Sequence, residues 1–371
     1  MRVTNKMLTD KVIYNIQSAY QRMQVTQTQL ATTKRVQKPS DDALAVAKTL
    51  KIRDLIGDNE QYQKNIDDAT GWLDNTEPAL DAISTLVADL KDIAVSGSSD
   101  TKSASEREAL GKQVEALLQQ LVTLGNTQYD QRYVFAGSNT LTKPYDESQS
   151  VSDEAVALTD TTWADLANAN LQQGSVSVRG SGGGVYTEGV DYEVDYATGR
   201  IRRLAGGTMP TGEACRVSYS TDGISSVNLN VASTDGEIKR EVAPGVWEQI
   251  NVGGQEVLSS KVDLFGLMVR IKNALFKNDG TAVNAAINDI GTALDQVSSA
   301  MGKVGVARDG FDLASARMDT QNTNLEALKS KLEDTDMAEV AVRLQAEQLA
   351  YQSALSAASS ILNKSLLDFL S

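Results

Sequence analysis

The sequence predicts a mainly α-helical fold with a β-rich insert, in which the N- and C-terminal helices form an antiparallel coiled coil. Both ends of the 371-residue chain repeat apolar residues at spacings of three and four, and neither 1–38 nor 334–371 contains proline or glycine. The middle differs, since 141–256 holds 15 of the 27 glycines and three of the five prolines. A helix break near each terminus makes the order of elements nested, which favours a chain that folds back on itself.

The first terminal helix is predicted over residues 1–38, and a break follows it. Pro39 disfavours the helical conformation for the residue before it, so the helix ends there. Ser40 is predicted to cap the next helix, with Asp41 and Asp42 in its first turn, where the helix dipole favours negative charge. The seam of the first helix is predicted at Ile13, Ile16, Tyr20, Met23 and Leu30, with Thr9 and Gln27 in the same repeat.

The last helix is predicted to begin after Asp336, which caps it, and to run to the C-terminus. Glu339 and Glu347 are interpreted as charges that flank its seam. Because Ala, Thr and Gln bury less apolar area than Leu or Ile, we expect the terminal pair to be weak alone and to order on assembly. The seam is predicted at Met337, Leu344, Tyr351, Leu355, Leu362 and Phe369, with Ala341, Gln348 and Ala358 in the same repeat.

Between the ends, a helical rod is predicted over 40–140 and 257–333. Ser103 and Glu106 have the spacing of a capping box, and Gly57, Gly71 and Pro78 are weak points of the helix before them. A helix over 264–276 and a very long helix ending near residue 332 complete the rod. The predicted domains are therefore 1–39 with 334–371, 40–140 with 257–333, and 141–256.

The β-rich domain, 141–256, is predicted to contain two hairpins. Residues 190–196 alternate apolar and acidic side chains and turn at Thr198-Gly199 into 200–202. A second hairpin is predicted over 247–257, with Gly253-Gly254 at its turn. The acidic side chains of 191, 193 and 195 are interpreted as a solvated strand face. Gly180–Gly184 lacks the Gly-Lys-Ser/Thr of a phosphate loop and predicts a flexible turn.

Composition excludes several functional classes. The chain has no histidine and one cysteine, Cys215, so His-based nucleophilic catalysis, His-based zinc sites and internal disulfides are excluded. We expect no enzyme activity, no cofactor and no metal. A net charge of −14 makes nucleic-acid binding improbable. No signal peptide or membrane span is predicted, so the chain is either cytosolic or exported without a cleaved signal.

Four stretches carry a family resemblance: Met1–Leu8, Lys34–Asp42, Tyr133–Ser138 and Ser365–Leu370. Together they resemble the flagellin superfamily, and within it the hook-associated proteins, over roughly 1–140 and 245–371. Ala43 stands where that family often has proline, and Thr32-Thr33 stands where a Ser-Gly pair is common.

The resemblance implies an elongated flagellin-like fold and a structural subunit of the bacterial flagellum, placed at the hook–filament junction. It implies export through the flagellar type III channel and an extracellular location on the flagellum. The implied partners are other copies of the chain in a ring, hook-associated protein 1 on the hook side and flagellin on the filament side. An export chaperone would hold the C-terminal helix before secretion. The alternatives are flagellin itself and a helical signalling bundle, which would need a membrane span.

Overall fold

A computed structural model describes residues 5–159, 161–230 and 234–370, except for the side chains of 5, 6, 8, 9 and 361–370. The chain divides into two compact units. Unit 1 comprises Met1–Tyr62 and Ala316–Ser371, and unit 2 comprises Gln63–Ser315. The helices are α1 Asn5–Thr32, α2 Ala43–Ser98, α3 Ala104–Gly125, α4 Gly254–Leu258, α5 Leu264–Phe276, α6 Gly280–Glu333 and α7 Met337–Leu370. The prediction of a mainly helical chain with a β-rich region is confirmed.

The weak points predicted in α2 do not interrupt it. The helix continues through Gly57, Gly71 and Pro78. A proline inside a helix costs about 3 kcal/mol, but the turns that follow bury a continuous apolar face. Each buried large aliphatic side chain contributes about 1.5–3 kcal/mol, so packing outweighs the proline. The buried apolar residues of α2 after Pro78 are Ala79, Leu80, Ile83, Leu86, Val87, Leu90 and Ala94.

The capping box predicted at the start of α3 is confirmed. The backbone N–H of Ser103 donates to Glu106 Oε2 at 2.8 Å, and the N–H of Glu106 donates to Ser103 Oγ at 3.3 Å. The hydrogen bonds from the Ser103 backbone and hydroxyl, with Lys102 nearby, lower the pKa of Glu106 to about 2. Two N–H groups that the first helical turn leaves unpaired are thereby satisfied.

The β-rich region forms several small antiparallel sheets. The strands are β1 Gln128–Tyr129, β2 Arg132–Tyr133, β3 Tyr145–Ser148, β4 Ser150–Leu158, β5 Ala164–Asp165, β6 Ser177–Gly180, β7 Val185–Tyr186, β8 Tyr192–Asp195, β9 Arg200–Arg203, β10 Glu213–Ser220, β11 Ser226–Leu229, β12 Lys239–Ala243 and β13 Val246–Gln249. Strands β4, β10, β6 and β7 make one sheet in that order, β5, β9 and β8 make a second, and β1–β2, β11–β3 and β12–β13 are pairs.

One predicted hairpin is confirmed and the other is misplaced. Strands β8 and β9 pair with Glu193 opposite Arg202, and Gly199 in the turn has φ +63°, which favours glycine. The second hairpin is β12–β13, joined at Pro244-Gly245. The prediction of a hairpin turn at Gly253-Gly254 is wrong, because these two residues begin the short helix α4. A glycine pair predicts a tight change of direction but does not distinguish a hairpin turn from a helix start.

Asp191 corrects the prediction of a solvated acidic strand face. Its side chain is buried and accepts hydrogen bonds from the N–H of Thr187 at 2.9 Å and from the N–H and hydroxyl of Thr208. These bonds lower its pKa. The residue therefore organises two loops beside β8. The predicted turn at Gly180–Gly184 is confirmed, since it joins β6 to β7.

Candidate assembly surface

The terminal helices α1 and α7 pack against each other in unit 1, running antiparallel. The rings of Tyr20 and Tyr351 lie 5.9 Å apart, centroid to centroid. At the end nearer the helix breaks, an antiparallel bridge joins Lys34 to Asp334. Residue numbers therefore rise along α1 where they fall along α7, as in a chain that folds back on itself.

The contact between the helices is a regular seam. Its side chains are buried or half-buried, and their spacing alternates between four and three along each helix. On α1 they are Val12, Ile16, Ala19, Met23, Thr26 and Leu30, and on α7 they are Val340, Leu344, Glu347, Tyr351, Ala354 and Ala358.

Among the described side chains of the predicted seam, every second position lies in this contact and the others lie beside it. Ile16, Met23, Leu30, Leu344, Tyr351 and Ala358 are in the seam. The side chains of Leu362, Phe369 and Thr9 lie outside the described residues. Those placed beside the seam are Ile13, Tyr20, Met337 and Leu355, each 43–48 % exposed, and the exposed Gln27, Ala341 and Gln348.

The offset has a physical cause. Spacings of three and four fit two heptad phases that share every second residue, and the sequence places apolar residues in both. The structure puts the smaller Ala19 and Thr26 in contact, while the larger Ile13 and Tyr20 remain at its edge. Small side chains allow two helix backbones to approach closely, which a row of Ile and Tyr would prevent.

The terminal pair is apolar on more than its inner face. Nine large apolar side chains outside the seam are 43–70 % exposed, and we call them the outer apolar set. Large apolar side chains exposed away from the inner face of a helix pair are candidates for contact with another molecule. The outer apolar set comprises Met7, Ile13, Tyr14, Tyr20, Val25, Met337, Val342, Leu349 and Leu355.

The seam also contains a polar defect. Glu347 was predicted to flank the seam, but its Oε2 is buried and receives no hydrogen bond from any described residue. An unpaired buried carboxylate oxygen is costly. Glu339, in contrast, is exposed and pairs with Arg343 at 2.5 Å. The pair α1–α7 is therefore weaker than a seam of aliphatic residues would be.

The two helix breaks meet in a short clasp, which we define as Thr33–Val36 together with Glu333–Thr335. The N–H of Arg35 donates to the Glu333 carbonyl at 2.7 Å, and the N–H of Thr335 donates to the Thr33 carbonyl at 3.0 Å. Thr33 has φ +59°, a left-handed conformation that is strained for a β-branched residue. These two hydrogen bonds support the left-handed conformation of Thr33. They also join the segment that follows the end of α1 to the segment that precedes the start of α7.

Glu333 is the electrostatic centre of the clasp. Its nearly buried carboxylate pairs with Lys34 Nζ and accepts from Arg53 Nη2 at 2.6 Å. Burial alone would raise the pKa of Glu333, but the hydrogen bonds and charges of Lys34 and Arg53 outweigh it, so the pKa is lowered. The carboxylate is therefore ionised at neutral pH and holds two segments of the chain to the end of α6.

The first helix break extends from Thr33 to Asp42, and its predicted cap is corrected. Asp42, not Ser40, caps α2, because its Oδ1 accepts the N–H of Ala45 at 2.9 Å. Asp41 accepts from the N–H groups of Gln37 and Lys38, which closes a turn around Pro39 and lowers the pKa of Asp41. At the second break the predicted cap is confirmed: Asp336 Oδ1 accepts the N–H of Ala338 at 2.8 Å.

Two features are absent from the described part of the chain. No group of three His, Cys, Asp or Glu side chains there is arranged to hold a metal ion. No helix there is both long enough and apolar enough to cross a membrane.

Comparison with known families identifies the two helical ends. Residues 3–140 match the family model described as the bacterial flagellin N-terminal helical region, and 287–370 match that of the C-terminal helical region. Together they cover more than half of the chain. The chain belongs to the flagellin superfamily. The resemblance inferred from the four motifs is confirmed.

The chain is similar both to a hook-associated protein and to a flagellin. Flagellar hook-associated protein 3 of Escherichia coli (strain K12) is 29 % identical over 150 residues, which are 40 % of this chain and 47 % of that protein. The chain thus spans about half the length of the hook-associated relative that it matches. A flagellin of Clostridium tyrobutyricum is 21 % identical over 358 residues, 91 % of this chain and 93 % of that protein.

The fold has a counterpart among solved structures. A putative flagellar hook-associated protein from Vibrio parahaemolyticus superposes with a TM-score of 0.50 at 18 % identity, covering 79 % of this chain and 100 % of that chain. At this identity the likeness concerns the fold alone.

Proposed function

We propose that this chain is a structural subunit of the bacterial flagellum, that it forms the junction between hook and filament, and that it seats the first flagellin subunits. The outer apolar set carries the assembly part of the proposal. Burying one large apolar side chain fully contributes about 1.5–3 kcal/mol, and each member of the set still has 43–70 % of its surface to bury. Neighbouring copies that cover these side chains would stabilise a terminal pair whose own seam is weak.

The place in the flagellum is proposed from the relatives. The 29 % identity is to a hook-associated protein, whereas the flagellin similarity is weaker per residue although it extends further. On this basis the partners are other copies in a ring, hook-associated protein 1 on one side and flagellin on the other. Before export, a chaperone would hold α7. Export without a cleaved signal would place the protein outside the cell, on the flagellum.

The domain division is proposed in the same terms. Residues 1–39 with 334–371 form the terminal coiled coil, 40–140 with 257–333 form the helical rod, and 141–256 form the outer β-rich domain. The clasp at Glu333 lies at the boundary between the first two, where both helix breaks occur.

A chromosomal deletion distinguishes the junction from its alternative, flagellin, which the long match to a flagellin favours. Without a junction subunit, flagellin has no surface on which to assemble. Flagellin monomers should therefore accumulate in the culture medium of the deletion strain. Filaments of normal length on that strain would refute the junction role. Loss of all filament protein, inside and outside the cell, would indicate that this chain is the filament subunit.

Variants of the outer apolar set test assembly directly. Val342→Gln and Leu349→Gln keep helix propensity and lie outside the seam, so the monomer should fold normally while complementation of the deletion fails. The matched controls are Gln345→Ala and Gln352→Ala, exposed positions on the same helix. Full motility with the double Gln variant would show that these side chains are not covered in the assembly.

A further inference from the structure

Unit 2 contains a preformed groove of about 900 Å³ along α6, bounded by the β12–β13 hairpin and the segment that follows it. The hairpin is held on α2 by Arg240 Nε, which donates to Asp68 at 2.8 Å, and by Asn65 Nδ2, which donates to the Glu241 carbonyl at 2.9 Å. Both walls are thus tied to the same helical framework.

The floor of the groove is apolar and part of it is unusually open. Val306 lines the groove and is 74 % exposed. Gly302, also in the lining, has no heavy atom near the position where a Cβ would stand. The other apolar lining residues are Leu73, Ile250, Val252, Val304 and Ala307.

The rim of the groove is acidic. Lys303 is the sole cation among its described lining residues, and it is already paired with Glu256. The four carboxylate side chains of the lining are Asp235, Glu237, Glu248 and Glu256. An apolar floor with an acidic rim selects a segment that presents apolar and positively charged side chains on one face.

The same chain presents such a segment in unit 1. Leu44, Lys48, Lys51 and Leu55 follow one another at spacings of four, three and four on α2, so they share one helix face. All four are exposed. We call this face the Leu–Lys face.

The distribution of charge supports a contact between unlike units. Unit 1 has fifteen Lys and Arg against fourteen Asp and Glu, whereas unit 2 has twenty against thirty-five. Two copies of unit 2 therefore repel each other, and unit 2 has no comparable repulsion with unit 1.

We propose that the groove of one copy accepts the Leu–Lys face of a second copy. The contact joins two different surfaces, so a pair of copies still has one free groove and one free Leu–Lys face. Further copies can therefore be added in the same direction. It rests on the proposed assembly function and specifies one interface of it, distinct from the outer apolar set.

Charge reversal tests the contact, with self-association of the full chain followed by sedimentation velocity over a concentration series. The variants Lys48→Glu/Lys51→Glu and Glu237→Lys/Glu248→Lys should each weaken association at least about tenfold, since like charges face each other. Combining all four changes in one chain should restore it. Mixing the two double variants should also restore association beyond two chains, because the wild-type groove of one meets the wild-type face of the other and the two charge-reversed surfaces attract each other as well.

Controls separate this contact from net charge and from misfolding. Lys64→Glu/Lys91→Glu changes two exposed lysines of the same helix and should leave association unchanged; equal weakening there would overturn the proposal. So would a fourfold variant that associates no better than either double variant, provided its circular dichroism matches the wild type. If the wild-type chain stays monomeric throughout, self-association through this contact is refuted, whereas the junction role is decided by the deletion strain. If the wild type associates and the double variants match it, this contact alone is refuted.

Discussion

Gly302 and Gly305 in α6 are the basis of the sharpest stability prediction. Both are exposed positions inside a long helix, and neither has a heavy atom within reach of an added Cβ. Replacing a helix-interior glycine with alanine restricts the unfolded chain and favours the helix by roughly 0.5–1 kcal/mol. Gly302→Ala/Gly305→Ala should therefore stabilise unit 2 by roughly 1–2 kcal/mol, provided that the two positions are independent.

The measurement is urea unfolding followed by circular dichroism, at a concentration where the chain is monomeric. The midpoint should rise with an unchanged m-value, since the surface exposed on unfolding is the same. Gly71→Ala is the matched control within α2, because a Cβ there would overlap the hydroxyl of Tyr129, whose ring packs edge-on against Trp72. That variant should be destabilised despite the same gain in helix propensity. Equal stabilisation by both variants, or none by the α6 pair, would refute the reasoning.

Three further predictions concern the clasp, a buried ion pair and the chain ends. Glu333→Gln should destabilise the clasp by about 1–3 kcal/mol at neutral pH, seen as faster proteolysis within Thr33–Asp42. Because the folded-state pKa of Glu333 is lowered, its contribution is present above the unfolded pKa and is lost as pH falls through the folded pKa, so the variant should match wild type in acid. Lys272 is buried and pairs with Glu115 at 2.9 Å, so Lys272→Met should cost about 3–5 kcal/mol in thermal unfolding. Adding Glu115→Leu should recover part of that loss, and an additive double variant would contradict a coupled pair. Brief proteolysis of monomer should remove the ends outside the breaks first; equal protection of ends and core would contradict a weak terminal pair.

The helices could be predicted because their signals are local. The capping box at Ser103 and Glu106 and the cap at Asp336 depend on residues within one turn, and both are present as expected. The hairpin turning at Gly199 was equally local, because alternation and a glycine specify it together. The cap of α2 was missed by two residues, since Ser40 and Asp42 are both good caps and the turn around Pro39 decides between them.

The candidate site was predicted only in part. Spacing alone showed that α1 and α7 each have an apolar stripe, and the antiparallel pair agrees with that. It could not choose between two heptad phases, so Ile13 and Tyr20 were assigned to the seam while Ala19 and Thr26 were not. Glu347 was missed for the same reason, because a charged residue is normally placed outside a seam. The signal that could have identified the correct phase was the presence of small residues, Ala19 and Thr26, at its positions.

The sequence by itself determined the class of protein: mainly helical, with a β-rich middle, no histidine chemistry and two paired ends of the flagellin superfamily. These properties follow from composition, short-range spacing and motifs, which do not depend on residues far apart in the chain. Only the tertiary structure decided which apolar residues meet and which remain outside the seam. It also revealed the clasp at Glu333 and the acidic groove, because both are built from residues far apart in the chain. Burial depends on what packs opposite a side chain, and that information is absent from local sequence.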